Sequence, residues 1–197
     1  MASAIQNFYF DPIKMHVVDP MHNLLLGTAK RMFKIWVQLE IISKKKNFNK
    51  IAALQNLIKV PSGHGRIAKT IPKAYKTMKA DEWKNCFFIY SMHCLKDILP
   101  KEKSDHWLLF VEACKLLRTR AITNDDAKKV HDLLQEFCQG VEDIYGKKFC
   151  TANMHLHMHL AECIQDFGPV YSFWCFSFER YDGILGSITQ TTRTLVS

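Results

Sequence analysis

The chain has 197 residues, of which 48% are apolar, and its formal net charge is +8 at pH 7. This length and apolar content suffice for one sizeable packed domain and exclude wholesale disorder. So basic a chain favours a polyanionic partner, with nucleic acid first and a membrane surface second. No uninterrupted apolar stretch is long enough to span a bilayer, so we expect no membrane insertion.

The seven cysteines indicate the cellular compartment. No two of them form a C-x-x-C pair, and their neighbours are mostly apolar, which is typical of reduced thiols in an intracellular core. A disulfide framework is the weaker interpretation. The first ten residues contain no basic segment leading into an apolar run, so no signal peptide is predicted. We therefore expect the protein in the nucleus or the cytoplasm.

The N-terminal part is predicted to turn helical after a short lead-in. Residues 14–18 are compatible with a short strand. Asp19 and Pro20 then form a strong helix start, because the carboxylate can accept amide hydrogen bonds and proline fits the first helical position. Apolar residues at helical spacing continue to residue 39 and predict a helix of about six turns.

The rest of the chain also has mainly helical periodicity. Prolines and glycines predict a loop over residues 61–72. Thr123 is suited to cap a helix, and the two aspartates that follow suit the positive end of its dipole. Further helices are predicted over residues 51–60, 80–98, 104–120, 123–145, 153–167 and 174–185.

An aromatic stretch near the C-terminus contains the first chemical candidate, Glu179. As a helix, this stretch aligns four apolar side chains in one stripe: Trp174, Phe178, Tyr181 and Leu185. Glu179 lies beside the stripe, and a carboxylate at the edge of a core needs a partner. That partner could be Arg180 in an ordinary ion pair, or a divalent metal shared with Asp182.

The start of the first helix contains the second candidate. Asp19 and His22 are three residues apart, so both project from the first turn. Asp19 could simply cap the helix, while His22 could contact a phosphate, because helix N-termini attract anions. The run of Lys44, Lys45 and Lys46 is either a solvated corner or a second phosphate contact.

Three alternating histidines form the third candidate. On a strand His155, His157 and His159 would share one face and could bind zinc. On a helix only His155 and His159 share a face, with His157 pointing away. Glu162 or Cys163 could supply a further ligand, whereas the alternative is a set of histidines packed against the core.

Four stretches resemble the transposases of CACTA (En/Spm-like) DNA elements, over nearly the whole chain. The resemblance is to the C-terminal half of their catalytic region. The most specific stretch combines the histidine run, G-P-V and an aromatic-flanked F-E-R. The four stretches are "FDPIKMHVVDPMHNLLLGTAKRMFKIW", "GRIAKTIPKAYKTMKADEWKNCFFIYS", "LPKEKSDHWLLFVEACKLL" and "NMHLHMHLAECIQDFGPVYSFWCFSFERYDGILGS".

The resemblance implies a nuclease of the RNase H fold with an all-helical insertion. Members of this family hold two divalent metals with two aspartates and a later glutamate, and the metals assist in-line attack on a phosphodiester. Glu179 then corresponds to that glutamate, with Mg²⁺ or Mn²⁺ expected only in a complete enzyme. Asp19 and His22 match the D-x-x-H pair of the family at the entry to the insertion, which is expected to lie near the DNA. Arg180 is also expected to bind DNA.

The resemblance also implies a division of the chain. Residues 1–18 are expected to be a lead-in, 19–150 the helical insertion, and 151–197 an incomplete C-terminal segment of the RNase H-like core. The two catalytic aspartates belong to strands that are expected before residue 1, so this chain alone is expected to bind DNA without cutting it. The expected fold class is mainly α.

The sequence thus leaves two functional hypotheses. One is a transposase fragment that binds DNA and associates with a second copy of itself or with a full-length transposase. No small-molecule substrate is expected for it. The other is a helical protein-interaction module derived from a transposon.

Overall fold

The computed structural model describes residues 15–61, 68 and 70–194, with side chains described as far as residue 186. In that part of the chain the protein is mainly helical and contains no strand, which confirms the predicted mainly α class. The α-helices are α1 (Lys30–Gln38), α2 (Asn47–Leu57), α3 (Ile71–Ala74), α4 (Ala80–Asn85), α5 (Ser91–Leu95), α6 (Lys101–Leu117), α7 (Asn124–Tyr145), α8 (Ala152–His155), α9 (Leu160–Phe167) and α10 (Phe176–Thr194).

Shorter helical segments of other types connect these helices. Met21–Ala29 and Cys86–Tyr90 are π-helical and run directly into α1 and α5. Turns of 3-10 helix cover Lys147–Phe149, Leu156–His159 and Val170–Ser172. The predicted first helix is therefore confirmed as one continuous run, but its N-terminal half has the wider π-helical turn.

Several predicted boundaries differ from the structure. The strand considered for residues 14–18 is wrong for residues 15–18, which are turn and irregular backbone, while residue 14 lies outside the described residues. Most of the loop predicted over 61–72 also lies outside them. The last helix begins at Phe176 rather than at residue 174 and continues to Thr194. Residues 15–18 do not form a strand because no second extended segment among the described residues pairs with their backbone groups.

The ends of α7 follow the signals in the sequence. Thr123 Oγ1 accepts a hydrogen bond from the Asp126 amide at 3.1 Å, and the Asp126 carboxylate accepts one from the Thr123 amide at 3.0 Å. This reciprocal capping box confirms the predicted cap. At the other end Gly146 has a φ of 98°, which a side chain would disfavour, and the helix stops there.

An aromatic cluster forms the centre of the core between α1, α6 and α7. The ring centroids of Trp36 and Trp107 are 5.0 Å apart, and those of Phe110 and Phe137 are 4.8 Å apart. Trp36 Nε1 donates a buried hydrogen bond of 2.9 Å to the Tyr145 hydroxyl. The indole therefore keeps a partner in an environment without water, as buried polar groups require.

Two asparagines join the π-helical start of the chain to α8. Asn23 Nδ2 donates to the Asn153 carbonyl at 2.8 Å, and Asn153 Nδ2 donates to the Asn23 carbonyl at 2.7 Å. Gly27 permits this approach, because a Cβ at residue 27 would collide with the Asn153 amide. The π-helical segment Met21–Ala29 is therefore packed against the C-terminal third of the chain.

One continuous hydrophobic cluster extends from Val18 to Val170. It contains residues from both sides of the boundary expected at residue 150, and that boundary stays a prediction. Among the helices of the described residues, none has both the length and the apolarity to cross a membrane.

His157 is fully buried in this core. Its Nε2 lies 3.0 Å from Thr28 Oγ1, and its Nδ1 lies 3.6 Å from Cys138 Sγ. Burial lowers the pKa of His157 to about 3, because an imidazolium without a nearby anion is poorly solvated there. The middle histidine of the run is thus a neutral core residue.

Acidification from pH 6.5 toward pH 3 is expected to destabilise the fold through His157. The unfolded chain binds a proton at this imidazole with a pKa of about 6.5, whereas the folded imidazole stays neutral until its pKa of about 3. The unfolded state therefore binds more protons in this window. The free energy of unfolding falls by up to about 1.4 kcal/mol per pH unit as the pH decreases. Urea unfolding at several pH values measures this slope.

His157→Gln removes that titration and should give a shallower slope than the wild type, together with lower stability at neutral pH. His93→Gln is the matched control, because His93 lies at the surface, and it should retain the wild-type slope. Equal slopes in the wild type and His157→Gln would contradict the assignment.

Candidate functional site

The first helix and the last helix meet at the Asp19 carboxylate. Asp19 Oδ1 accepts hydrogen bonds from the Met21 amide at 3.3 Å and from the Cys175 amide at 2.9 Å. Cys175 is 156 positions further along the chain. The neighbouring Val18 amide donates to Cys163 Sγ at 3.5 Å, so the segment before the helix is attached at a second point.

His22 lies between two carboxylates in this site. Its Nδ1 is 2.5 Å from Asp19 Oδ2, and its Nε2 is 3.8 Å from Glu179 Oε1. The side chains of His22 and Glu179 are 55% and 50% exposed, whereas that of Asp19 is only 15% exposed. The structure therefore brings together three predicted site residues, and the accessible pair faces solvent.

Cys175 is the site residue that the sequence did not indicate. One donor atom from each of Asp19, His22 and Cys175 lies within 4.8 Å of the other two. Burial raises the pKa of the Cys175 thiol, and the Asp19 charge, a hydrogen bond to Asp19 and the Glu179 charge raise it further. A thiol in a negative environment stays protonated at neutral pH, so Cys175 is not an activated nucleophile.

The ion pair considered between Glu179 and Arg180 is not formed. The group facing Glu179 is His22, and Arg180 lines a neighbouring groove instead. Asp182 lies three residues after Glu179 on α10 and is exposed. Adjacent residues on a helix point about 100° apart, which explains why Arg180 diverges from its neighbour.

The apolar stripe beside Glu179 is not buried, contrary to the sequence interpretation. Phe178 is 67% exposed and Tyr181 is 64% exposed, and Leu185 is exposed as well. Trp174 lies before α10 rather than on it. Among the described side chains of α10, that of Phe176 packs against the core, and those of residues 177–186 are exposed. Helical spacing identified a common face but could not show whether another element covers it.

A groove next to this site combines cationic and aromatic side chains, and we call it the basic groove. Pro20 and Met21 also line it, so it borders the Asp19–His22 turn. It encloses about 510 Å³. Its charged and aromatic lining residues are Lys84, Phe88, Arg118, Arg120, Tyr171, Trp174, Phe176 and Arg180.

Cation–π contacts hold part of this lining in place. Lys84 Nζ lies 4.5 Å from the centroid of Phe176, and the Arg118 guanidinium lies 4.2 Å from that of Phe88. Lys84, Arg118 and Arg120 are not among the site residues predicted from the sequence. The two arginines flank a threonine just after α6, which is a weak local signal, and only the fold adds Lys84 and Arg180 to them.

The three lysines of the basic link lie elsewhere. Lys44, Lys45 and Lys46 are exposed in the turn between α1 and α2. Lys44 and Lys45 line a different groove, which also contains Lys34 and Lys76. The predicted DNA-binding residues are therefore divided between two surfaces, and only Asp19, His22 and Arg180 lie at or beside the basic groove.

The histidine run is helical, so its members point in different directions. The rings of His155 and His159 have centroids 5.3 Å apart, as expected for a shared face, while His157 is buried. Glu162 pairs with His159 at 2.9 Å, and Cys163 is buried against Val18. Of the residues described, only Asp19, His22 and Cys175 place three such donor atoms within 4.8 Å of one another. Zinc at His155 and His159 stays a prediction.

Comparisons with protein-family models, with curated proteins and with solved structures found no match to this chain. The resemblance to CACTA transposases accordingly stays a prediction.

Removal of the Asp19 carboxylate is expected to destabilise the fold. Asp19→Ala deletes the acceptor of three backbone amides, those of Met21, His22 and Cys175. The expected loss is about 1 to 2 kcal/mol, the upper part of the range for a helix cap, and thermal unfolding measures it. Asp182→Ala removes an exposed carboxylate of α10 and should change stability by less than about 0.5 kcal/mol. Equal unfolding temperatures for the two variants would contradict the role of Asp19.

Proposed function

We propose that this chain is part of the catalytic region of a CACTA-type DNA transposase, with a helical insertion over residues 19–150. The observation that carries the proposal is the meeting of the D-x-x-H pair and the F-E-R motif, with His22 Nε2 3.8 Å from Glu179 Oε1. An inserted domain leaves and re-enters its host at neighbouring points, so its two ends must lie close together. The hydrogen bonds between Asn23 and Asn153 join residues near the two ends of this range and so support the proposed insertion.

The exposed face of α10 supports the finer part of the proposal, an RNase H-like core. Phe178 and Tyr181 are one helical turn apart and both largely exposed. Adjacent large apolar side chains on a helix are typical of a surface that packs against another element. In the proposed enzyme that element is the sheet of the core, and Glu179 lies at the edge of the contact.

The composition of the basic groove supports DNA as the ligand. Lysine and arginine side chains bind phosphates, and aromatic rings stack on bases that leave the duplex stack. Arg118, Arg120 and Arg180 supply the charge, while Tyr171 and Trp174 supply the rings. Arg180, the residue next to Glu179, lines the groove, so the proposed DNA site is close to the proposed catalytic carboxylate. We place this activity in the nucleus.

The described residues around Glu179 do not fit the two Mg²⁺ or Mn²⁺ ions of the family. These hard cations need several oxygen ligands. Besides the carboxylates of Asp19 and Glu179, the nearby donors are the His22 imidazole and the Cys175 sulfur, which Mg²⁺ and Mn²⁺ do not prefer as ligands. Glu179 alone cannot hold two ions. We therefore propose that DNA cleavage requires two further carboxylates, and that this chain by itself binds DNA without cutting it.

Neutralisation of the groove is expected to weaken DNA binding and its dependence on salt. Each phosphate contact contributes about 0.9 to the slope of log affinity against log salt concentration. Arg118→Gln combined with Arg120→Gln should therefore reduce that slope by about 2. Fluorescence anisotropy with a labelled duplex at several salt concentrations gives both slopes.

The matched control is Lys128→Gln combined with Lys129→Gln, which removes the same charge from exposed positions of α7. This variant should retain most of the wild-type slope, because its lysines do not line the groove. If the wild type fails to bind DNA even at low salt, DNA binding by this chain is refuted. An equal loss in both double variants would indicate general electrostatic attraction without a specific groove.

The second candidate function is a protein-interaction module derived from a transposon. The exposure of Phe178 and Tyr181 favours it, since the same face could bind a second copy of this chain instead of a sheet. In this case association depends on α10 and is independent of the arginines of the basic groove.

Sedimentation velocity over a range of concentrations distinguishes this candidate. Phe178→Glu combined with Tyr181→Glu should weaken self-association at least about tenfold, because two charges would be buried in the contact. The salt slope for DNA should not change. Gln165→Glu, at an exposed position of α9, is the control for added charge. A wild-type chain that stays monomeric at high concentration would exclude self-association through this face.

A further inference from the structure

Asp19, His22 and Cys175 form a compact group of metal-ligating side chains. Their donor atoms lie within 4.8 Å of one another, although Cys175 is more than 150 positions away in the sequence. Tetrahedral zinc has bonds of about 2.0 to 2.3 Å, so its ligand atoms lie about 3.3 to 3.8 Å apart. Small side-chain rotations are enough to close the group around one ion.

The chemistry of these donors favours a borderline-soft transition metal. A carboxylate oxygen, an imidazole nitrogen and a thiolate sulfur are all zinc ligands, whereas Mg²⁺ is held by oxygen. The donor set that does not fit the metals of a two-metal nuclease therefore fits Zn²⁺. The site is also accessible, because half of the His22 side chain is exposed.

The backbone holds the proposed ligands in place. The Met21 and Cys175 amides donate to Asp19 Oδ1, and the His22 amide donates to Oδ2, which also lies beside Nδ1 of the His22 ring. Zn²⁺ replaces the hydrogen bond between Oδ2 and Nδ1 and is bound by the imidazole tautomer whose proton is on Nε2, while coordination releases the Cys175 thiol proton to solvent. The His22 Nε2 proton is then directed at Glu179 Oε1, 3.8 Å away. Carboxylates commonly orient a ligating histidine through its other nitrogen in this way.

We infer that Asp19, His22 and Cys175 bind one Zn²⁺ ion, with Glu179 as the outer partner of His22 and water in the fourth coordination position. The ion connects the first turn of the chain's first helix to the start of α10. It also neutralises negative charge at the border of the basic groove. This zinc site goes beyond the proposed function. Glu179 faces His22 through Oε1, which leaves Oε2 for the proposed catalytic role.

Titration of the reduced, metal-free chain with Zn²⁺ tests the inference. Elemental analysis after dialysis should give one ion per chain, and the unfolding temperature should rise with Zn²⁺, since only the folded chain assembles the ligands. Titration with Co²⁺ should give a thiolate-to-cobalt absorption band. His22→Ala and Cys175→Ser should abolish the band and weaken Zn²⁺ binding more than the roughly 10–100-fold that loss of an outer partner costs.

Three further variants identify the site. Cys150→Ser, at another half-buried cysteine whose pKa is raised by burial, and His159→Ala, from the histidine run, should bind Zn²⁺ like the wild type. Glu179→Gln should retain one ion and the cobalt band, with affinity reduced within about 10–100-fold. Circular dichroism establishes that each variant is folded.

Three results would overturn the inference. A wild type without stoichiometric Zn²⁺ refutes it outright, and so does undiminished binding in folded Cys175→Ser and His22→Ala. Metal binding that depends on Glu179 but not on Cys175 also refutes it, while leaving the proposed catalytic role of Glu179 intact. Since the salt dependence of DNA binding is measured separately, either proposal can fail while the other stands.

Discussion

The hydrogen bonds of the Asp19 carboxylate are the interaction on which the candidate site depends. An ionised carboxylate has about four acceptor positions, and Asp19 uses them for the Met21, His22 and Cys175 amides and the His22 ring. The Asp19 side chain thus accepts hydrogen bonds from the first amides of a helix and also holds the backbone at Cys175, just before α10. Most of these donors are backbone amides, so the geometry depends little on rotamers.

The site has an unusual distribution of charge. Asp19 and Glu179 are negative, whereas Arg118, Arg120 and Arg180 line the adjoining groove. A phosphate attracted into the groove meets repulsion at its border unless a cation lies between the phosphate and the carboxylates. A metal ion bound at the Asp19–His22–Cys175 site is therefore expected to strengthen the proposed DNA binding.

Two parts of the structure are held by different means. In the aromatic core around Trp36 and Phe110, His157 and the Trp36 indole have hydrogen-bond partners, whereas the buried Trp107 Nε1 and His106 Nδ1 have none among the described residues. In contrast, α10 is attached at its start and exposes all of residues 177–186. Exposed side chains gain little from burial, so the position of this part of α10 depends on the Asp19–Cys175 contact and on whatever packs against Phe178 and Tyr181.

Local signals in the sequence determined most of the helices, together with the Thr123 cap and the helix start at Asp19, because capping and amphipathic periodicity act over a few neighbouring residues. Sequence also singled out Asp19, His22 and Glu179 separately, through the resemblance of their motifs. Only the tertiary structure decided that they meet, that Cys175 joins them, and that Lys84, Arg118 and Arg120 form a groove with Arg180. It also decided that His157 is buried and that the Phe178 face is exposed. Such juxtapositions depend on how distant helices pack, and a pattern within one helix contains no information about what lies opposite its face.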